Sequence, residues 1–278
     1  MAVKIVTDSG SDISLEIAKE LDIAIVPVYI HFGGKAYKDG IDIGSDKLYE
    51  MLVDGPIYPT TTQPMPADFA ETYSTLSKDA DAIVSIHLPA RVSGTFNAAL
   101  QGIEIAKPKC KVHVVDSFSV SVGLGLIAMA ASRVAQAGGN LTEVLEETNK
   151  AISQTQIRGL LHTLRYLLKG GRITKAKALL GTLLNVKPIL TMRQGEIVQT
   201  GMARSYDKGI ERLFEFVKGY PNLQEVAISH STVSEEATAL KKRITSIINE
   251  KRIKMFRIGA GLGVHGGPGT LLVAARSS

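Results

Sequence analysis

The sequence predicts an α/β fold of two α/β domains, the first with a mostly parallel sheet and the second with a mixed sheet. Short runs rich in Val and Ile alternate with helical patterns through the first half of the chain. A hairpin pattern in the second half indicates antiparallel pairing, and 278 residues suit two ordinary domains. We place the domains at residues 1–155 and 156–278 and expect the ligand in the cleft between them.

The first half of the chain accounts for the parallel sheet. The predicted strands are Val3–Val6, Ala24–Ile30, Ala82–Ile86 and Val112–Val115. The predicted helices are Ser14–Leu21, Ser45–Val53, Ala67–Leu76, Gly94–Ala106, Ser119–Ala137 and Leu141–Thr155. Strands that alternate with helices in this way form a parallel sheet covered on both faces.

The second half of the chain predicts a mixed sheet. The predicted strands are Val186–Met192, Glu196–Met202, Glu225–Ser229, Met255–Gly259 and Thr270–Ala275. The first two flank a short turn and predict a hairpin. The predicted helices are Gly159–Lys169, Ser205–Val217 and Val233–Asn249.

The composition excludes several classes of protein. Hydrophobic residues make up 45% of the chain, enough for a sizeable core, so intrinsic disorder is excluded. The single cysteine, Cys110, cannot form an internal disulfide or a zinc site of thiolates, and we expect neither a metal nor a cofactor. The net charge of +5 arises without dense basic runs, so we expect no nucleic-acid partner.

The location follows from two patterns. The N-terminus lacks the basic start, apolar stretch and cleavage site of a signal peptide. The longest uncharged apolar stretch, Ser117–Ser132, is shorter than the roughly 20 residues that a membrane-spanning helix needs. We therefore expect a cytoplasmic protein.

Three polar segments follow predicted strands or flank predicted helices. In Thr7–Asp12, Asp12 is expected to cap the helix that starts near Ser14, and a metal site with Asp8 lacks a third ligand. Pro59–Pro64 holds three hydroxyls between prolines, and its pattern fits a capped helix start as well as a binding loop. Arg91–Phe96 opens a helix, where free N–H groups attract anions and Ser93 and Gly94 suit a ligand.

Two further segments have alternative interpretations. Gly170 and Gly171 stop a helix, and Arg172 after them reaches either an anion in the cleft or solvent. The apolar residues of Thr174–Asn185 form either core or the cover of an apolar tunnel, and whether the Leu179–Leu184 face opens at a membrane is left open.

The glycine-rich run Gly259–Gly269 is the densest signal in the chain. Gly261–Gly266 matches the dinucleotide fingerprint formally, but Pro268 and a strand follow where the fingerprint needs a helix. We expect instead a backbone packed closely against a neighbour, with His265 held at its surface as a hydrogen-bond donor to an anion.

Together these segments resemble the DegV family of bacterial fatty-acid-binding proteins. The matching segments are Thr7–Asp12, Pro59–Pro64, Val92–Ala98, Asp116–Ser117, Leu167–Ile173, Lys187–Ile189 and Gly259–Gly269, with Phe32–Gly34, Tyr37, Asp39 and Gly40 matching that family's second-strand hairpin. Their order and spacing agree over essentially the whole chain. The resemblance implies two α/β domains that enclose one long-chain fatty acid.

The resemblance also implies a site and partners. The carboxylate would be held by Thr61 or Thr62, by Ser93 and the backbone at Gly94, and by His265. Some family members present the acid to a separate fatty acid kinase. Apart from the resemblance, we expect such a partner to dock on a basic patch that includes Arg172 or Arg204, and we expect transient contact with a membrane surface. We expect a lipid-binding protein in phospholipid metabolism without catalysis of its own. The alternative is an acyl hydrolase with Ser93 as nucleophile and His265 as base.

Overall fold

The computed structural model describes residues 2–54, 58–173 and 186–278. Its strands are β1 (Val3–Asp8), β2 (Ile23–Val26), β3 (Tyr29–Phe32), β4 (Lys35–Lys38), β5 (Thr60–Thr62), β6 (Ala82–His87), β7 (Lys111–Asp116), β8 (Thr155–Leu160), β9 (Lys187–Arg193), β10 (Glu196–Ala203), β11 (Leu223–His230), β12 (Ile253–Arg257) and β13 (Leu271–Ser277). Its α-helices are α1 (Leu15–Glu20), α2 (Ser45–Asp54), α3 (Pro66–Leu76), α4 (Thr95–Ala106), α5 (Val122–Gln136), α6 (Leu141–Gln154), α7 (Arg165–Lys169), α8 (Tyr206–Lys218), α9 (Ser234–Ile244) and α10 (Ala260–Gly266).

The first sheet is parallel throughout, as predicted, with the strand order β2-β1-β6-β7. All six residues of β6 are buried, as expected of a strand covered on both faces. The carboxyl ends of β1 and β6 therefore lie side by side, and Gly10 and Leu88 follow them into the same region.

The second sheet is mixed, also as predicted, with the strand order β10-β9-β8-β13-β11-β12. Only the pair β11–β12 is parallel in this sheet. The predicted hairpin is confirmed as β9–β10, which turns at Gln194 and Gly195. Both turn residues have positive φ, as a two-residue hairpin turn of the favoured hand requires.

Helix α5 joins the two sheets through one hydrophobic core. Its residues 122–132 are all buried, and it contacts β1 of the first sheet and β11 and β13 of the second. The surrounding core cluster holds Ile5 from the first sheet, Leu126 from the helix and Ala274 from the second sheet. The boundary between residues 155 and 156 falls inside β8 and stays a prediction.

The predicted strand Ala24–Ile30 is divided between two sheets. Its end belongs to a third sheet, which has the strand order β4-β3-β5. That stretch forms two strands because Pro27 has no N–H to donate to a ladder, so β2 ends in the first sheet and β3 begins in the third. Thr60–Thr62 forms the strand β5 against β3 and is not a helix start. Three β-branched residues after Pro59 favour this extended backbone.

Two helix predictions in the second half are wrong in part. Gly159 and Leu160, placed in a helix that runs to Lys169, end the strand β8, and α7 begins only at Arg165. Strand β8 pairs with β13 and β9, which lie far along the chain, and this pairing overrides the local helical pattern. The helix predicted to reach Asn249 ends at Ile244.

The glycine-rich run also differs from its prediction. It contains the short helix α10, which ends before Gly267, and Gly267 has a positive φ of 74°. The glycines of the formal dinucleotide match thus lie inside a helix and do not precede one. Asp12 does not cap α1, because Ser14 accepts the N–H of Ile17 there, and the carboxylate of Asp12 accepts the N–H of Gly259.

Candidate ligand-binding cleft

A cleft opens where the carboxyl ends of β1 and β6 face the six-stranded sheet and α10. Its empty space, including the mouth open to solvent, is about 1050 Å³. No Asp or Glu lines it among the residues that the structure describes. This size and lining are typical of a pocket for a small organic ligand.

The six-stranded sheet supplies an apolar side of the cleft, which we call the aliphatic wall. It consists of Ile157, Leu161, Leu190, Met192, Ile197 and Leu272. Thr191, which also faces the cleft, donates its hydroxyl hydrogen to the carbonyl of Ile157 at 2.7 Å, so this polar group is already paired. The aliphatic wall therefore suits an alkyl chain, which needs no hydrogen bonds.

Strand β5 of the third sheet brings hydroxyls to the cleft, and we call this part of the lining the polar side. Alternation along this strand gives Thr61 and Thr62 different partners. The hydroxyl of Thr61 lies 2.7 Å from Nε2 of His265, whereas that of the exposed Thr62 lies 2.9 Å from Nε2 of His31. The structure therefore joins Thr61, and not Thr62, to the predicted histidine.

His265 lies in the last turn of α10, with one ring nitrogen hydrogen-bonded and the other packed against a glycine. Nε2 contacts Thr61, and Nδ1 faces Gly170, where a methyl group would lie 2.1 Å from it. Only glycine at position 170 thus allows the imidazole to sit there. Burial and, to a smaller degree, the charge of Arg172 lower the pKa of His265 to about 4, so its ring is neutral at pH 7.

Ser93 lines the cleft beside the amino end of α4. Its hydroxyl oxygen accepts the N–H of Thr95 at 3.3 Å and lies 2.8 Å from the Thr95 hydroxyl. Gly94 is the residue before the helix and lies against the side chain of Gln63, which itself lines the cleft. Ser93 thus lines the cleft together with His265, whereas Gly94 lies outside the lining and packs against Gln63.

The two predicted arginines lie in different places. Arg172 lines the cleft, and its guanidinium donates to the carbonyl of Gly170 at 2.6 Å. Arg204 is exposed after β10 and lies outside the cleft lining. Arg172 is therefore the one of the two that the structure brings to the predicted site.

The hydrolase alternative needs a hydrogen bond between nucleophile and base, with a third group that orients the base. The hydroxyl of Ser93 is engaged with Thr95, and Nε2 of His265 is engaged with Thr61. Nδ1 of His265 has no hydrogen-bond partner in the described part of the chain. These contacts do not form a catalytic triad.

Sequence reasoning missed Gln63 and the aliphatic wall as parts of the site. Leu190 and Met192 alternate along β9, but a period of two shows only that one face is apolar and not what it faces. The predicted apolar segment Thr174–Asn185, with the Leu179–Leu184 face, lies outside the described residues.

Within residues 2–54, 58–173 and 186–278, no helix is long and apolar enough to cross a membrane. No cluster of three or more His, Cys, Asp or Glu side chains there could hold a metal ion.

The chain matches known proteins over its whole length. The sequence model of the DegV family, described as "Uncharacterised protein, DegV family", matches residues 2–277. A DegV domain-containing protein of Deinococcus radiodurans is 34% identical over 278 residues, which cover 99% of this chain and 98% of that protein. The chain belongs to the DegV family.

Solved structures share the fold. A DegV family protein from Thermus thermophilus, described by its fatty acid binding, has a TM-score of 0.93 and 31% identity, with 100% of both chains covered. A stearic acid-binding protein from Eubacterium ventriosum has a TM-score of 0.88 and 26% identity, with 99% of this chain and 98% of that chain covered. Structural relatives of this chain thus bind fatty acids.

Proposed function

We propose that this protein binds one long-chain fatty acid in the cleft, with the carboxylate at Thr61, Ser93 and His265. The tail lies along the aliphatic wall. One observation carries the proposal: Thr61, Ser93 and His265 line the same cleft as the aliphatic wall. A ligand with one polar end and one long apolar end matches this division.

The polar groups suit a carboxylate because they are neutral donors. A neutral His265 with its proton on Nε2 donates to the oxygen of Thr61, which leaves the Thr61 hydroxyl hydrogen free for the ligand. The hydroxyl of Ser93 supplies a second donor. A carboxylate that leaves water without such donors would lose several kcal/mol.

The aliphatic wall supplies affinity rather than orientation. Each methylene group that leaves water contributes about 0.8 kcal/mol, so a long tail adds far more binding energy than one hydrogen bond. A long-chain acid is therefore favoured over a short one.

Calorimetry on delipidated protein tests this function. Palmitic acid should bind, and His265→Ala or Ser93→Ala should weaken it by about 1–3 kcal/mol. Ser93→Ala removes a donor to the carboxylate, and His265→Ala removes the partner that orients the Thr61 hydroxyl toward it. Hexadecanol, with the same tail and no carboxylate, is the matched ligand and should be insensitive to both substitutions. Absence of binding by palmitic acid, or equal affinity in all three proteins, would contradict the proposal.

We also propose that the protein performs no chemistry itself and presents the acid to a partner fatty acid kinase. The exposed residues Thr62 and Gln63 line the cleft, which supports a carboxylate close to the mouth. Arg172 and Arg204 are the proposed partner contacts. The protein would work in the cytoplasm, in phospholipid metabolism, and exchange its ligand during transient contact with a membrane surface.

A pull-down with the loaded protein tests the partner. We expect a protein with a kinase domain in the eluate, and less of it with Arg172→Ala or Arg204→Ala than with Arg252→Ala, a control in the turn before β12. An eluate without any kinase domain would count against presentation, and would leave fatty-acid binding untouched.

A further inference from the structure

Two buried carboxylates hold the first turn of α10. Oδ1 of Asp12 accepts the N–H of Gly259 at 2.8 Å, and Oδ1 of Asp39 accepts the N–H of Ala260 at 2.9 Å. Asp12 is 7% exposed and Asp39 is 5% exposed, so neither is a surface group. These N–H groups open the helix and have no partners within it.

The fit between the carboxylates and the helix is close. A methyl group at Gly261 would lie 2.8 Å from Oδ2 of Asp39 and 2.3 Å from a methyl carbon of Val28. Position 261 therefore has no room for a side chain, and the helix end is pressed against Asp39. Asp39 therefore contacts the first turn of α10 both by this packing and by the hydrogen bond to Ala260.

The two carboxylates tie α10 to distant parts of the fold. Asp39 follows β4, whose sheet also contains β5 with Thr61. Asp12 accepts the hydroxyl of Ser121 at 2.5 Å, at the start of α5, and Ser121 in turn contacts Ser229 of β11 at 2.8 Å. Asp39 thus connects the helix that carries His265 to the sheet that carries its partner Thr61.

We propose that Asp39, assisted by Asp12, is a positioning residue that sets the place of His265 against Thr61 at the head of the cleft. The inference rests on the proposed function. Neither carboxylate lines the cleft, so both act through α10 and not through contact with the ligand. Each carboxyl group can remain buried because it accepts a hydrogen bond from a backbone N–H group.

A double-mutant cycle separates positioning from general stability. Palmitic acid affinity is measured by calorimetry for the wild type, Asp39→Asn, His265→Ala and the double variant. We expect Asp39→Asn to weaken binding about tenfold in the wild type, the size of one hydrogen bond to a charged group, and less than twofold when His265 is already absent. The same fold-change in both backgrounds would overturn the inference.

Controls keep the cycle decisive. Asn140→Ala removes the cap of α6, where Asn140 accepts the N–H groups of Thr142 and Glu143 away from the cleft, and should leave affinity unchanged. If Asp39→Asn does not fold, Asp12→Ala goes through the same cycle with the same criterion. A His265→Ala protein that binds like the wild type overturns both this inference and the proposed head-group site, whereas equal Asp39 effects in both backgrounds leave that site standing.

Discussion

The two sides of the cleft are built in different ways. The aliphatic wall comes from neighbouring strands of one sheet, with residues on β8, β9, β10 and β13 and with Leu161 directly after β8. The polar side joins side chains from separate elements outside that sheet, and Thr61 of β5 contacts His265 of α10 across 204 positions. We therefore expect the wall to tolerate small changes in shape, and the polar side to depend on a few specific contacts between segments.

A charge in the aliphatic wall should have the largest effect. Leu272→Asp places a carboxylate beside the proposed tail, and we expect palmitic acid affinity to fall more than about a hundredfold because that charge loses its water. Met255→Asp is the matched control, since Met255 lies in the same sheet and is 40% exposed. Calorimetry on both proteins, with circular dichroism to verify folding, makes the comparison.

Retention of affinity within threefold in a folded Leu272→Asp protein would show that the tail does not lie on this wall. Loss of affinity in the Met255→Asp control would point to a general effect of charge on the sheet.

On the polar side, we expect a smaller loss of palmitic acid affinity, and only from substitution of Thr61 and not of its neighbour Thr62. Thr61→Val removes the hydroxyl that contacts His265 and should weaken palmitic acid binding about tenfold. Thr62→Val removes the hydroxyl that contacts His31 outside this pair and should leave affinity unchanged. Calorimetry in which Thr62→Val is the weaker binder would move the head group to the other face of β5.

The smallest expected effect concerns stability and pH. Burial raises the pKa of Asp12 to about 8 from its ordinary value of 3.8, so the folded protein keeps a proton that the unfolded chain releases. The contribution of Asp12 to the free energy of unfolding should therefore fall as pH rises, by about 1 kcal/mol for each pH unit. The pKa values of about 6 for Asp39, also raised by burial, and about 4 for His265 confine their effects to lower pH.

Urea denaturation between pH 6.5 and 8 tests Asp12 through the difference in slope between variants, since the histidines with lowered pKa values, His265 among them, contribute equally to each protein. Asp12→Asn should lose the downward contribution to the slope, while Asp79→Asn, an exposed residue after α3, should keep it. Equal slopes in the wild type and in Asp12→Asn would refute the assignment.

Much of the fold could be predicted from the sequence. Buried Val and Ile runs predicted β1, β6 and β7, and the turn at Gln194 and Gly195 predicted the hairpin, because these patterns are local. Strand β8 escaped prediction because its partners lie far along the chain.

The site residues, like the strands, were predicted in part. The resemblance to the DegV family indicated Thr61 or Thr62, Ser93 and His265, all of which line one cleft. It also indicated Gly94, which packs against Gln63 and lies outside the lining. The role of Asp12 against α10 could not be read from the sequence, because its partner Gly259 is 247 positions away and local chemistry favoured a cap for α1.

A crystal structure with a fatty acid brominated at its terminal carbon tests the division of the cleft most directly. The anomalous bromine peak should lie against the aliphatic wall near Leu190, Met192 or Ile197, with the carboxylate between Thr61, Ser93 and His265. A bromine peak beside Thr61 and His265, or a cleft without acyl density at saturating ligand, would contradict the account.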